Sequence, residues 1–306
     1  MDLRARLHDV APISGRQFAW FRIAFGTYLA IHFAQLLPWG RELFSRQGVL
    51  PDPTLNPTHG ILPNVLAWWD TPPVVTAFLA GMVGLSVLFT LGIARQAAAV
   101  GLWYGWACLF NRNVLISNPS IAYVGLLLLL TALLPTTEPR RLLGRKADES
   151  EFYFPAGVFH AAWILMAVGY TFSGALKLMS PSWVDGTAFW HVVANNPLAR
   201  DWWLRDLVVS LPMWTFRGLS WFALGLEILF LPLAMWRVTR PIAWGAMVGM
   251  HLGIISLVSF ADLSAGMLML HVFTFDPRWV EMARAVRARV ASWRPARMLA
   301  TQAAAD

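Results

Sequence analysis

Charge is scarce in this 306-residue chain: only 13% of its residues are Asp, Glu, Lys or Arg, about half the share usual in soluble proteins. Cysteine is nearly absent. The single Cys108 lies in an apolar stretch, which excludes an internal disulfide, a paired-cysteine redox motif and a Cys-based zinc site. Lysine occurs twice, as Lys146 and Lys177, among 24 Lys+Arg. No Gly-rich phosphate loop, nucleophile elbow or metal-ligand spacing of His, Asp and Glu is present, so no metal is expected. The opening MDLRARLHDVAPISGRQ lacks an apolar core followed by a small-residue cleavage site, and no removable signal peptide is expected.

What is there is apolar. Hydrophobic residues make up 57% of the chain, with 17 Trp and 19 Phe and a mean hydropathy of +0.53. Disorder needs the opposite composition, and a soluble domain of this length needs more charge. The chain reads as an all-α integral membrane protein. About 20 apolar residues cross the hydrocarbon core as a helix, and eight stretches qualify, some of them short: 17–38, 73–92, 96–111, 119–135, 156–177, 217–236, 241–260 and 262–276. The net charge of +7 does not indicate nucleic acid, because the basic residues fall between apolar runs rather than along one polar face.

The positions of the cations orient the spans. Arg4, Arg6, Arg16, Arg95, Arg140, Arg141, Arg145, Lys146, Arg237, Arg240 and the tail arginines share the side of both termini. Arg41, Arg46, Arg112, Arg200, Arg205 and Arg217 lie on the other. The positive-inside rule then predicts cytoplasmic termini. Residues 1–16 form a cytoplasmic segment, 17–276 the transmembrane domain, and 277–306 a basic cytoplasmic tail. The location expected is the bacterial inner membrane. In the tail, Trp279, Met282, Val286, Val290 and Trp293 recur at helical spacing, as in an amphipathic helix on an anionic leaflet or a solvated basic tail. Two long loops, 39–72 and 178–216, face outward.

Ionisable groups inside a bilayer cost about 2.5–3.5 kcal/mol each on insertion scales and mark functional sites. Here they are Arg22, His32, Lys177, Glu227, His251 and His271. Tyr170, Ser173, Gly174 and Lys177 are spaced to share one helix face. Lys177 reads in two ways. In a water-poor site its amine could act as a general base or stabilise a developing oxyanion; near a helix end it could equally snorkel to the interface. Glu227 lies mid-span and must be neutral or paired, with Arg22, His251 or Lys177 as partners. His251 could relay protons or only bond between helices. Arg112, Asn113, Asn118 and Ser120 could hold an anion or a quinone oxygen, or cap helix ends.

The segment GYTFSGALKLMSPSWVDGTAFW, residues 169–190, carries Gly174, Lys177, Leu178, Trp183 and Gly186 in the order G-x-x-K-L…W-x-x-G. It resembles the vitamin K-dependent gamma-carboxylase family and, more broadly, the horizontally transferred transmembrane (HTTM) domain. FRIAFGTYL with Arg22 and Gly26, RNVLISNPS and ALGLEILF look similar too, and the resemblance covers roughly 14–280. It implies a cavity opening outward near Lys177 and a reduced, vitamin K-like quinone deprotonated by Lys177, with Glu227 and His251 in support. Tyr170, Ser173, Gly174, Trp183, Arg112, Asn118, His32 and Arg22 would contact quinone or substrate. Where the carboxylases have a histidine near the start of the fourth span, this chain reads Asn118-Pro119-Ser120. No counterpart of their large luminal domain is expected in the short tail, so quinol chemistry is implied more directly than carboxylation of a propeptide-bearing substrate. The alternative is a non-catalytic binding or maturation partner for a secreted peptide or redox protein.

Overall fold

A computed structural model describes residues 13–136, 152–195 and 197–289. Residues 1–12, the loop cations Arg140, Arg141, Arg145 and Lys146, and Val290 and Trp293 of the tail lie outside the described residues. The described chain is helical, with one isolated bridge, Ala199–Val258, as its only β pairing. Each of the eight apolar stretches coincides with a helix. We label them α1 (Gly15–Leu36), α2 (Pro72–Leu91), α3 (Arg95–Arg112), α4 (Ser120–Ala132), α5 (Ala156–Lys177), α6 (Met213–Ile228) with α7 (Phe230–Met235), α8 (Thr239–Leu257) and α9 (Asp262–Thr274).

Two of them, α2 with mean hydropathy 2.2 and α5 with 1.3, are long and apolar enough to cross a membrane. A third candidate joins Trp203–Val209 to α6 across a bend of 102°. The 13-residue α4 and α9 reach only about 20 Å at 1.5 Å per residue. The exposed face of α5 is apolar, turning Ile164, Val168, Phe172 and Leu176 outward every fourth residue. Phe159, Trp163, Met166, Tyr170 and Gly174 point inward. Such an exterior is compatible with lipid contact.

Local chemistry fixes the helix ends. The Ser14 side chain accepts the Gln17 amide at 3.1 Å and starts α1; Pro72 opens α2 and Gly92, at φ +72°, ends it, the left-handed position only glycine adopts freely. The stretch expected as one span over 217–236 starts earlier, at Met213, and breaks after Ile228. Pro232 has no amide to bond to residue 228 and its ring crowds that carbonyl. The amide of Leu231 is taken by Thr171 Oγ1 of α5 at 3.1 Å.

α1 packs on α2, α2 on α3, and α3 on α4, while α9 contacts α1, α4, α5 and α8 and so occupies the middle. A side chain at Gly266 of α9 would lie 3.0 Å from Ser120 Oγ and Val124 of α4, so its absence permits the close crossing. The long loops 39–72 and 178–216 are not irregular throughout. They contain short helical turns at Gly40–Phe44, Val65–Trp68, Pro181–Val184 and Ala188–Trp190. Past α9, residues 278–289 form a helix. Trp279 packs on Trp163, Trp244 and Phe275 at ring distances of 6.1, 5.5 and 5.7 Å. It is therefore part of the bundle rather than of a surface face.

Candidate functional site

Lys177 ends α5 and its ammonium is bonded to both carboxylate oxygens of Glu227, which resolves the choice among the three partners open to that carboxylate. Ser173, one turn earlier, accepts a further bond from Nζ at 3.3 Å. Gly174 explains how the two helices come so close. A Cβ there would stand 2.7 Å from the amide nitrogen of Ile228 and 3.0 Å from the carbonyl carbon of Glu227, so glycine admits the α6 backbone against α5. The carboxylate side chain is 5% exposed and the lysine side chain 24%. Lysine thus forms the more exposed side of the pair.

Trp183 closes that side, its ring 4.7 Å from Nζ, a cation–π distance. The Trp is held by the turn Pro181–Val184, and the carbonyl of Val184 accepts from Trp221 Nε1 of α6 at 3.1 Å. Gly186, at φ +83°, lies where a Cβ would be 2.9 Å from Trp221 and 3.0 Å from Arg217. Between them, Thr187 donates its amide and hydroxyl to Asp185 at 2.8 and 2.6 Å and holds that exposed carboxyl below its usual range. The G-x-x-K…W-x-x-G spacing therefore has a packing cause at every position: two glycines dock α5 and its following turn on α6, and the Lys and Trp meet between them.

A second polar group lies deeper. Tyr170 Oη and His251 Nε2 are 2.7 Å apart, and His251 Nδ1 lies 3.1 Å from Ser264 Oγ. The His271 ring stands 5.7 Å from Tyr170 and 5.8 Å from His251. Tyr170, expected beside Lys177, reaches instead to α8 and through it to α9.

The third group centres on Asp262, at the start of α9, where a carboxylate suits the helix dipole. It receives Tyr28 Oη at 2.9 Å, His32 Nδ1 at 2.7 Å and Asn118 Nδ2 at 3.3 Å. Asn118 also accepts the Ser120 amide at 2.9 Å, so it both caps α4 and binds across to α9. A cavity of about 750 Å³ opens here, lined by Tyr28, His32, Asn118 and Asp262. Lys177 is not among the residues lining this cavity; its ammonium is bonded to Glu227 and faces Trp183.

Arg22 and Arg112 have other duties. The Arg22 guanidinium bonds to the carbonyls of Phe89 and Thr90 at the end of α2, and a Cβ at Gly92 would touch it at 2.9 Å. Arg112 pairs with Asp70 at 3.0 Å and donates to Leu50 O at 2.7 Å. Asn113 donates to Leu43 O at 2.7 Å. The Arg-Asn turn stitches the 39–72 loop to α3.

Asp262, Ser264 and Asp70 escaped the sequence reading. The signal for Asp262 was an acid at the start of the last apolar stretch, matched by His32 near the end of the first. Among the described residues no group of three or more His, Cys, Asp and Glu is placed to hold a metal ion. No family model, curated protein or solved structure matches this chain.

Proposed function

We propose that this chain is a multi-pass inner-membrane protein of the HTTM type, with eight spans and cytoplasmic termini, that binds a reduced quinone on its outer side and acts on it through the Lys177–Glu227 pair. The observation that carries the reading is the pair itself: a lysine and a glutamate 50 residues apart, brought together by a glycine that only close helix packing requires. A glutamate in apolar surroundings needs such a partner, and the lysine retains an exposed side from which a ligand can compete for it. In this reading a phenolic hydroxyl displaces the Trp183 contact and hydrogen-bonds at Nζ. Its proton passes to the Lys177–Glu227 pair, whose positive end steadies the quinol anion. Tyr170, His251 and Ser264 form the hydrogen-bonded support behind it.

The membrane part of the reading has separate support. Exposed tryptophans cluster toward both ends of the helices: Trp39, Trp68, Trp69, Trp203 and Trp214 on the outer loops, Trp20 and Trp236 at the opposite ends. Such belts sit at headgroup level. The broken α6–α7 helix beside Glu227 fits membrane sites, where interrupted backbone is tolerated only inside protein.

Mass spectrometry of lipids retained by gently extracted protein tests the proposal. An unsaturated-tail quinone should co-purify, and Lys177→Ala should fold normally and lose it. Retention of the same quinone by Lys177→Ala, or no quinone at all in the unaltered protein, would remove the enzyme reading in favour of a binding or maturation partner for a secreted peptide.

A further inference from the structure

We propose that the cavity beside Asp262 is a separate binding site for a monoanionic amphiphile, with Arg200 as the fork that takes its headgroup. Arg200 is pinned to the end of α8. Its amide donates to Leu257 O at 2.8 Å and its Nε to Ile255 O at 2.9 Å, beside the Ala199–Val258 bridge. Those bonds leave both Nη groups without a partner among the described residues, fixed in direction and partly exposed. A guanidinium held by Nε presents its two Nη atoms as a bidentate donor for a carboxylate or phosphodiester.

The space around this fork fits an amphiphile. Arg200 lines the 750 Å³ cavity and also an adjoining one of about 630 Å³, with Ile255 and Ser259 common to both. The first has walls of Ile31, Leu36, Phe110, Ile116, Leu268 and Met269, suited to an acyl or prenyl chain, and the second includes Asp201 and Trp202. A ligand pocket commonly pairs such apolar walls with one or two fixed polar groups. Asp262 and Asp201 line the two cavities on either side of the arginine, which favours a single negative charge over a multiply charged headgroup. The carboxylate of Asp262, already receiving three donors, repels the anion and leaves Arg200 as its seat.

This inference rests on the membrane reading and not on Lys177. The test is native mass spectrometry of the full chain in neutral detergent, with phosphatidylglycerol, oleate and phosphatidylcholine of matched chain length. Phosphatidylglycerol or oleate should bind at least tenfold tighter than phosphatidylcholine, the tighter of the two distinguishing a bilayer lipid from a free fatty acid. Arg200→Gln should reduce that preference to under about threefold, Arg200→Lys should keep part of it, and Asp262→Asn should raise it. Leu268→Trp, filling the cavity, should weaken all three lipids. Equal binding of phosphatidylcholine, or an undiminished preference in Arg200→Gln, overturns the proposal. If Arg200→Gln does not fold, an unchanged preference in Asp262→Asn together with undiminished binding of all three lipids by Leu268→Trp overturns it instead. Failure of the membrane reading has a different signature: release of the protein from membranes by alkaline carbonate.

Discussion

The buried arginines of the first four helices and the lysine at the end of α5 answer the same problem in opposite ways. Arg22, Arg95 and Arg112 are fully buried, and their guanidinium groups are spent mainly on backbone carbonyls. Arg22 takes Phe89 and Thr90, Arg95 takes Thr131, Leu134 and Pro135, and Arg112 takes Leu50 beside Asp70. The last carbonyls of a helix lack intrahelical partners, and a planar fork satisfies two or three at once where an ammonium would act as a point charge. At these three positions arginine rather than lysine thus has a structural reason. Lys177 does the reverse. It bonds to side chains, keeps 24% of its side chain exposed and faces an aromatic ring. One region is closed; the other leaves its charge partly exposed.

The largest effect that separates the two regions is expected at Asp70. Asp70→Ala leaves Arg112 buried without its counter-charge and also frees Arg46, paired to the same carboxylate at 2.7 Å. Breaking a buried pair in this way costs about 3–5 kcal/mol. Glu227→Ala should cost less, about 1–3 kcal/mol, because Lys177 can turn outward to water. Thermal unfolding of both variants in detergent checks the order; a larger loss for Glu227→Ala would undo the contrast. The smallest effect is expected at Trp183→Leu, which removes the ring over Nζ and should cost about 0.5–2 kcal/mol. In the same scan its unfolding curve should fall between those of the unaltered protein and Asp70→Ala.

Much of this contrast was legible in the sequence. Each of the eight apolar runs coincides with helix, since periodicity and length are local properties of the chain. The Gly174–Lys177 and Trp183–Gly186 spacings mark one corner of the bundle, where α5 and its following turn meet α6. What was not legible depends on contacts distant in sequence. Glu227 had three possible partners, and only the approach of α6 at Gly174 selects Lys177. Asp262 looked like an ordinary acid opening a helix, and its link to Tyr28 and His32 spans more than 200 positions. The bonds of Arg22 to Phe89 and Thr90 and of Arg112 to Leu50 were not legible either, since carbonyls of neighbouring segments cannot be counted from sequence. The break at Ile228 was hidden by Pro232, which membrane helices also tolerate as a kink.

The most direct test exchanges the two cation types and measures both stability and ligand. Arg22→Lys and Lys177→Arg are each assayed for thermal unfolding and for retained quinone. The account predicts a crossover: Arg22→Lys loses about 1–3 kcal/mol by giving up a charged bond to a helix-end carbonyl and keeps its quinone, while Lys177→Arg unfolds near the unaltered temperature and loses it. Parallel changes in both properties for both variants, or full quinone retention by Lys177→Arg, would contradict it.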